Sequence, residues 1–254
     1  MKIAIITGGS SGIGRAAALS LARRGVGTLF TFHSNEAWAR SAAEEIERAG
    51  GAAAALKLDV SQVATFDAFV IETRRVLRER FRRDDFDFLV NNAGIGGGRP
   101  FEDVTEAQLD RLFDTNFKGP FFLTQKLLPL LVDGGHIVNV SSNATRIISP
   151  GYSAYGASKA ALTVVTKYWA KELARRQIRV NSVSPGPVLT NLSDGIERGA
   201  MAKHPEYLEP LAAQTALGRI GQPDDVGAAI AALLSDDNRW VTGVDLEVSG
   251  GFML

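Results

Sequence analysis

Residues 2–14 read KIAIITGGSSGIG, and this stretch decides the fold. Lys2 to Ile6 is an almost wholly apolar run, which is typical of a strand in the middle of a parallel sheet. A helix is predicted from about Gly12 to Arg24, so the glycine-rich turn lies between a buried strand and an amphipathic helix. Glycines in such a turn let the backbone approach a pyrophosphate, which the free N–H groups of the helix N-terminus bind. The stretch therefore predicts a dinucleotide-binding α/β fold.

The alternation of strand and helix continues to the end of the chain. Further strands are predicted at 28–32, 53–58, 88–90, 136–140, 178–184 and 244–248, with helices at 37–49, 63–83, 105–132, 153 to about 176, and from 223. Gly119-Pro120 predicts a local irregularity in the backbone hydrogen bonds of the 105–132 helix. No internal repeat or linker divides the sequence. We therefore expect one domain, residues 1–254, with a Rossmann-type, doubly wound, parallel seven-stranded sheet and helices on both faces.

The composition excludes several classes of function. The 28 basic and 28 acidic side chains give a net charge of zero, so no overall field favours nucleic acid or an anionic membrane. The arginine-rich run at 74–83 is interleaved with acids and is interpreted as a solvated helix face. There are no cysteines, and the three histidines lie far apart in the sequence, so we expect no metal site. No apolar segment approaches about 18 residues, so we expect a cytoplasmic protein without a membrane partner.

A candidate proton-transfer site follows the predicted strand at 136–140. Ser153 is predicted to cap the next helix, which places Tyr155 and Lys159 one turn apart on the same face. Ser142 lies just past the strand end, where a parallel α/β sheet opens its ligand crevice. A phenol has a pKa near 10, and lowering it by about three units requires roughly 4 kcal/mol of cationic stabilisation of the phenolate. Lys159 and a positively charged nicotinamide ring would share that task. The alternative is that both side chains merely belong to a surface helix.

Several motifs occur together in one order along the sequence. They are Thr7-Gly8-Gly9-Ser10-Ser11-Gly12-Ile13-Gly14, Asn91-Asn92-Ala93-Gly94, Asn116, Ser142, Tyr155-x-x-x-Lys159 and Pro185-Gly186. In these motifs the chain resembles the short-chain dehydrogenase/reductase family, close to its 3-oxoacyl-carrier-protein-reductase-like branch. The resemblance implies an enzyme in which Tyr155 is the acid/base and Ser142 holds the substrate oxygen. It further implies that Lys159 binds ribose and lowers the tyrosine pKa, and that Asn116 supports a water path for proton relay.

The sequence and the resemblance together give a set of expected contacts to a nicotinamide dinucleotide. The glycine-rich turn would hold the pyrophosphate, Asp59 and Val60 would flank the adenine, and the turn at 185–190 would meet the nicotinamide carboxamide. The full set is Gly8, Ser10, Ser11, Gly12, Ile13, Gly14, His33, Ser34, Asn35, Asp59, Val60, Asn92, Ala93, Gly94, Tyr155, Lys159, Pro185, Gly186, Val188 and Thr190. Asp59 could instead cap a helix, as could Ser61.

The end of the second predicted strand bears on the choice between NADP and NAD. Enzymes that prefer NAD commonly have a carboxylate there, which repels a 2′-phosphate. Phe32 occupies that position, and residues 33–35 follow it with groups that can donate hydrogen bonds to a phosphate. The family's usual basic residue in the glycine turn is Ser11 here, and Arg15 lies one residue past the turn, where it could point to solvent. These charges favour NADP(H), with NAD(H) as the alternative.

The resemblance also sets expectations for the substrate and for assembly. The substrate would be a small molecule that interconverts between a carbonyl compound and a secondary alcohol. A substrate lid is predicted at about residues 188–215, with Met201, His204 and Tyr207 as candidate pocket walls. A homo-oligomer, either a dimer or a tetramer, would form through the helices at 105–132 and 153–176. The candidate aromatic contacts are Phe121, Phe122, Tyr168 and Trp169, which core burial would explain equally well.

Other functions stay open on the sequence. The leading hypothesis is hydride transfer between a nicotinamide and a carbonyl or secondary alcohol, with Tyr155 as the acid/base. A catalytically silent, dinucleotide-binding regulatory protein is an alternative, although Asn116, Ser142, Tyr155 and Lys159 are all present. An NAD-preferring sugar or alcohol dehydrogenase is another alternative, and dehydration or epimerisation with the same cofactor is a third.

Overall fold

The computed structural model describes residues 1–190, Glu206 and residues 208–254. Its strands are β1 Ile3–Ile6, β2 Gly27–Phe32, β3 Ala53–Lys57, β4 Phe86–Asn91, β5 Leu131–Val140, β6 Arg179–Pro185 and β7 Asp245–Val248. They form one seven-stranded sheet in the order β3-β2-β1-β4-β5-β6-β7, and adjacent strands are parallel. The strand order reverses between β1 and β4, where a doubly wound sheet opens its ligand crevice. The predicted fold class is confirmed.

Helices cover both faces of this sheet. They are α1 Gly12–Ala22, α2 Glu36–Arg48, α3 Phe66–Val76, α4 Glu106–Phe113, α5 Gly119–Leu127, α6 Ser153–Glu172, α7 Leu208–Ala213 and α8 Pro223–Leu233. Alternate residues of β1 point to opposite faces. Ala4 and Ile6 belong to the buried cluster under α1, α2 and α8. Ile3 and Ile5 belong to the cluster under α3, α5 and α6. Because β1 is buried on both faces, its sequence is apolar throughout.

The segment predicted as one helix at 105–132 is interrupted. Helix α4 continues into a π-helical turn, Asp114–Lys118, before α5 begins, and a 3₁₀ turn, Leu128–Leu130, follows α5. Pro120 has no N–H group, so the regular ladder cannot be continued through it, which is the predicted irregularity. At Gly119 an added Cβ would lie 2.1 Å from the carbonyl oxygen of Val60, so only glycine fits there. The predicted helix end at Val132 is wrong, because β5 already begins at Leu131.

Two other predicted boundaries also differ from the structure. Ser153 is the first residue of α6 rather than its cap; Tyr152 takes the cap position and its side chain makes no capping bond. The helix ends at Glu172 and is followed by a 3₁₀ turn, Ala174–Arg176, instead of running to about 176. The segment predicted as a helix at 63–83 consists of a 3₁₀ turn (Val63–Thr65), α3 and a π-helical turn (Leu77–Phe81).

The arginine-rich run at the end of α3 is a solvated face, as predicted. Its arginines pair with acids of the same region or of α2, as in Arg75–Glu72, Arg78–Asp84, Arg80–Glu47 and Arg83–Asp87. Within the described part of the chain, no helix is long and apolar enough to cross a membrane. The same residues contain no cluster of His, Cys, Asp or Glu that could hold a metal ion.

Candidate active site

Helix α6 and the end of β5 bring the three predicted catalytic side chains together. Tyr155 and Lys159 are buried on the inner face of α6, and Ser142 is buried just beyond β5. The Lys159 Nζ donates to the Val140 carbonyl oxygen at 2.9 Å, which fixes the helix against the strand end. The Ser142 hydroxyl hydrogen-bonds the phenol of Tyr155. A hydroxyl, a phenol and an ammonium therefore share one buried site.

The position of Ser142 is fixed by the turn that follows it. Its Oγ accepts a hydrogen bond from the Ala144 backbone N–H at 3.1 Å and so caps the 3₁₀ turn Asn143–Thr145. The Thr145 hydroxyl donates back to the Ser142 carbonyl at 2.9 Å. Because the backbone and the Oγ are both held, the hydroxyl is preorganised to hold an oxygen atom beside Tyr155.

The phenol of Tyr155 is harder to ionise in this protein than in water. Burial raises the pKa of Tyr155, a hydrogen bond from Ser142 opposes that rise, and the neighbouring Tyr152 adds to it. The lowering expected from the sequence required a bound nicotinamide cation in addition to Lys159, so it stays a prediction for the protein with its cofactor. Removal of the phenol from water outweighs the stabilisation available from the protein's own groups. A protonated phenol suits a proton donor.

The ammonium of Lys159 is also perturbed by burial. Burial lowers the pKa of Lys159 to about 8, because a charged amine loses hydration in this site. One of its three protons is used by the Val140 carbonyl. Gly94 lies beside it: an added Cβ there would approach the Lys159 Nζ to 3.1 Å and the Asn116 Oδ1 to 3.0 Å. The Asn-Ala-Gly turn must therefore end in glycine for the lysine to sit where it does.

The side chain of Asn116 is fully used in holding the site together. It is completely buried; its Nδ2 donates to the Ile95 carbonyl at 3.0 Å and the Ser158 Oγ at 3.1 Å. Its Oδ1 accepts from the Ile95 N–H at 2.9 Å. This amide ties the segment after β4 to α6. The backbone carbonyl of Asn116 lies four residues before Pro120, which cannot donate to it.

The glycine-rich turn has the geometry of a phosphate cradle. Gly8 and Gly12 have φ angles of 68° and 54°, which favour glycine. A Cβ at Gly14 would lie 2.4 Å from the Gly8 carbonyl oxygen. Helix α1 begins after Ser11 without a side-chain cap and without an acidic residue in its first turn. Its N-terminal N–H groups and its dipole are therefore arranged to receive an anion.

The other predicted contacts lie along the same edge of the sheet. Thr7 braces the turn after β4: its Oγ accepts from the N–H groups of Asn92 and Ala93, each at 2.9 Å. At the end of β6, Gly186 packs so closely on Ser249 that a Cβ would lie 2.7 Å from it. The backbone of Val188 then pairs with Gly221. Thr190 lies 3.7 Å from the Cβ position of Gly12, so the two ends of the predicted cofactor site meet across the crevice.

The residues expected near the adenosine ribose are more constrained than the sequence suggested. The His33 Nε2 lies 3.5 Å from the Asp59 Oδ2, so an acid faces the imidazole. Asp59 also accepts from the N–H and hydroxyl of Ser61, a turn that precedes the helical segment instead of capping α3. The Asn35 Oδ1 caps α2 by accepting from the Trp38 N–H at 2.9 Å. Only its amide nitrogen is then available to a phosphate.

Arg15 does not point freely to solvent. Its Nε donates to the Glu45 Oε2 at 2.8 Å and its Nη2 to the Ser41 Oγ at 3.2 Å, both on α2. The guanidinium thus joins α1 to α2. Its charge is already balanced by a carboxylate.

The structure adds an apolar groove that the sequence analysis did not identify. It encloses about 920 Å³ between the segments 98–102 and 144–153 and the outer side of α6. Tyr152 lines this groove and also stacks edge-on against Tyr155, with ring centroids 6.2 Å apart. The available signal was the position of Tyr152, three residues before Tyr155 on one side of the helix.

Two sets of sequence predictions have different outcomes. The proposed lid at about 188–215 lies mostly outside the described residues, together with Met201, His204 and Tyr207. Among the aromatic candidates for a subunit contact, Tyr168 is 63% exposed. Trp169 is buried and packs against Phe121 with ring centroids 5.6 Å apart. Trp169 therefore belongs to the core, which is the alternative that the sequence left open for it.

Comparison with known proteins places this site in a wider context. Residues 8–253 match the model of the family described as enoyl-(acyl carrier protein) reductase. The chain is 41% identical to an uncharacterized oxidoreductase of Methylorubrum extorquens over 98% of this chain and 97% of that protein. It is 37% identical to the short-chain dehydrogenase/reductase FrzI of a Cladobotryum species, over 99% of this chain and 96% of that protein.

Solved structures agree with these matches. The reductase LugOII, described as a promiscuous catalyst of keto-reduction at C1 in lugdunomycin biosynthesis, superimposes with a TM-score of 0.93 at 39% identity, covering 100% of this chain and 98% of that one. The angucycline C-6 ketoreductase LanV with bound NADP superimposes with a TM-score of 0.92 at 36% identity, covering 99% and 95%. LanV with NADP and rabelomycin gives a TM-score of 0.89 at 35% identity, covering 99% and 96%.

Proposed function

The chain belongs to the short-chain dehydrogenase/reductase family, and we propose that it reduces a ketone to a secondary alcohol with NADPH as its cofactor. It is an oxidoreductase of that family. The observation that carries the proposal is that Tyr155, Ser142 and Lys159 are buried together where α6 packs against the end of β5. A phenol kept protonated at neutral pH is suited to donate a proton to a carbonyl oxygen, which is the task of the acid in reduction.

The crevice along β1, β4 and β6 fits a nicotinamide dinucleotide. The uncapped N-terminus of α1 suits a pyrophosphate, and Gly14 lets that helix end pack directly against the turn at Gly8, where a side chain would meet the Gly8 carbonyl. We assign the pyrophosphate to the glycine-rich turn, the adenosine to the ends of β2 and β3, and the nicotinamide to the turn at 185–190. When bound there, NADPH supplies the hydride that reduces the carbonyl carbon.

Residues of this chain bind the carbonyl oxygen of the substrate and donate the proton to it. The Ser142 hydroxyl donates to the substrate carbonyl oxygen and holds it beside the Tyr155 hydroxyl. As the carbonyl π bond breaks and the carbon gains hydride, Tyr155 transfers its proton to the oxygen. A C–H bond and an O–H bond form, and a phenolate remains. Ser142 and the ammonium of Lys159 stabilise that phenolate until it regains a proton.

Lys159, on α6, and Asn116, which bonds to α6, both support this proton transfer. With a pKa of about 8, Lys159 is largely protonated at neutral pH. One of its protons is donated to the Val140 carbonyl. We assign the other two to a hydrogen bond with a ribose hydroxyl and to electrostatic stabilisation of the phenolate. Asn116 positions α6 through Ser158, and its backbone carbonyl is assigned to a water that returns the proton to Tyr155.

The proposal is tested by following NADPH oxidation with a panel of ketones and the reverse reaction with the matching alcohols. We expect turnover in the reductive direction at neutral pH for at least one ketone. Titration of NADPH and NADH by cofactor fluorescence, at fixed salt, provides the binding readout. Tight NADPH binding without turnover of any carbonyl compound would instead support the silent dinucleotide-binding alternative.

The choice of NADP over NAD is part of the proposal. The absence of a carboxylate at Phe32 supports it, as does the NADP bound to LanV. The His33–Asp59 pair favours the NAD alternative, because Asp59 offsets positive charge at His33 and adds negative charge near the ribose. A parent protein that binds NADH more tightly than NADPH would decide for NAD.

We also propose a single catalytic domain over residues 1–254, with the lid at about 188–215, and a homo-oligomer. The outer face of α6 exposes Val164 and Tyr168, at 55% and 63%, which supports a contact along that helix. Light scattering on the full chain tests the assembly, and Tyr168→Glu should dissociate it if that face forms the contact.

A further inference from the structure

The apolar groove beside α6 is built into the fold and reaches the catalytic tyrosine through one side chain, Tyr152. The Arg99 N–H donates to the Gly151 carbonyl at 2.8 Å, so the segments 98–102 and 144–153 are joined by the backbone. The volume of about 920 Å³ lies within the range of small-molecule sites, roughly 300–1,000 Å³. Tyr152 is the residue that lines the groove and also touches the Tyr155 ring.

The walls of the groove define the chemistry of its occupant. Phe101 and Ile148 stand at its rim with 81% and 85% of their surface exposed. The floor consists of small residues: Ala144, Gly156, Ala157 and Ala160. Its charged side chains, Arg99 and Glu102, are of opposite sign, so the groove has no net charge to attract an ion. A smooth floor between apolar walls suits a flat, uncharged ring system.

The ring of Tyr152 is held at the boundary between the groove and the catalytic site. Its plane is inclined 77° to that of Tyr155, an edge-to-face arrangement. On its other side lies Gly98, where an added Cβ would come within 3.2 Å of the Tyr152 ring. With Tyr155 on one side and Gly98 on the other, the ring has one preferred position. Its remaining surface, 44% of the side chain, faces outward.

We propose that Tyr152, held by Gly98, is a specificity-determining residue that selects ketones bearing a fused, uncharged ring beyond the carbonyl. The proposal rests on the proposed function, because it takes Tyr155 as the group that meets the carbonyl oxygen. The groove holds the ring system and Tyr152 stacks on it. Tyr152 donates no proton to the reaction and is not a catalytic residue.

The test compares 1-tetralone with cyclohexanone, which differ by one fused aromatic ring. The parent should have a higher kcat/KM for 1-tetralone. Tyr152→Ala should reduce the preference for 1-tetralone over cyclohexanone, as the ratio of their KM values, about tenfold from the loss of aromatic contact. Tyr152→Phe should restore the preference, since the ring is kept. Gly98→Ala, which displaces the ring, should reduce the preference with Tyr152 present and have no further effect in Tyr152→Ala.

The controls separate this inference from folding and from the proposed function. Ile71→Ala removes an exposed aliphatic side chain on α3, far from the groove, and should change neither KM nor NADPH affinity. Equal losses for both ketones would mean that Tyr152 acts only through the shape of the Tyr155 site and would overturn the proposal, as would unchanged kinetics. If the parent turns over neither these two ketones nor any other ketone of the panel, the proposed function fails. Calorimetric binding of 1-tetralone to parent and Tyr152→Ala then still decides the groove, because equal affinities would overturn it.

Discussion

The cofactor crevice and the apolar groove are built in different ways. The crevice is made of backbone: glycines at 8, 12 and 14, an uncapped helix end, and Thr7 bonded across to Asn92 and Ala93. The groove is made of side chains, with Phe101 and Ile148 almost fully exposed. Backbone geometry tolerates few residue types, whereas an apolar wall tolerates many. We therefore expect the crevice to tolerate fewer substitutions than the groove.

The largest expected effect is the loss of turnover when the Tyr155 hydroxyl is removed. Tyr155→Phe keeps the ring that packs in the site but removes the hydroxyl that transfers the proton. General acid–base catalysis contributes about 10²- to 10⁴-fold, so kcat should fall by that factor while NADPH affinity stays nearly unchanged. Steady-state kinetics together with fluorescence titration measure both quantities. Residual activity within a few-fold of the parent would contradict the acid/base assignment.

The next largest effect is a loss of NADPH affinity when the backbone of the glycine-rich turn is displaced. Gly14→Ala places a Cβ 2.4 Å from the Gly8 carbonyl oxygen, so the turn must move. Such overpacking typically costs about 1–3 kcal/mol, and NADPH affinity should fall by roughly 5- to 150-fold. Gly25→Ala is the matched control: it imposes strain at φ 74° but meets no atom within 4 Å. The control should lose some thermal stability and bind NADPH normally. Equal binding losses in both variants would mean that the cradle is not the phosphate site.

A smaller effect concerns the far end of the crevice. Phe32→Asp places a carboxylate where NAD-preferring enzymes carry one. Like charges about 4 Å apart repel by roughly 1–4 kcal/mol, which is about tenfold or more in affinity, so NADPH should weaken far more than NADH. Phe32→Asn, of similar size but uncharged, is the control. Equal losses for both cofactors would argue against a 2′-phosphate at this position.

The last prediction concerns stability and not activity. It involves His136, which is buried in β5. Burial and the charge of Arg179 lower the pKa of His136 well below its ordinary value, and its Nε2 pairs with Asn181 at 2.8 Å. The folded protein keeps this imidazole neutral, while the unfolded chain takes up a proton below about pH 6.5.

The neutral His136 side chain therefore contributes its full share to the free energy of unfolding above that pH, and the free energy of unfolding decreases as pH falls below it. The slope should reach about 1.4 kcal/mol per pH unit well below pH 6.5. Urea unfolding of parent and His136→Gln between pH 7.5 and 5 measures it. The variant should be less stable at pH 7.5 but have a flatter pH dependence. Equal slopes in the two proteins would exclude His136 as the source.

The sequence located most of the crevice because its constraints are local. The glycines of residues 8–14, the Asn-Ala-Gly turn and the i, i+4 spacing of Tyr155 and Lys159 each follow from the geometry of one turn or one helix. The sequence left open what contacts between distant segments decide. Arg15 bonds to α2, Trp169 packs on Phe121, and the ammonium of Lys159 is drawn to the Val140 carbonyl.

The sequence by itself determined the parallel sheet and the glycine-rich turn, and it named the candidate catalytic side chains. These features depend on the hydrophobic pattern, motif spacing and residue types of short stretches of sequence. Only the tertiary structure decided how burial shifts the Tyr155 pKa, that Trp169 lies in the core, and that Tyr152 lines a groove. Desolvation depends on what surrounds a group in space, and a groove exists only between segments that are distant in sequence. Residues 98 and 152 are 54 positions apart, yet their contact fixes the ring that we expect to select the substrate.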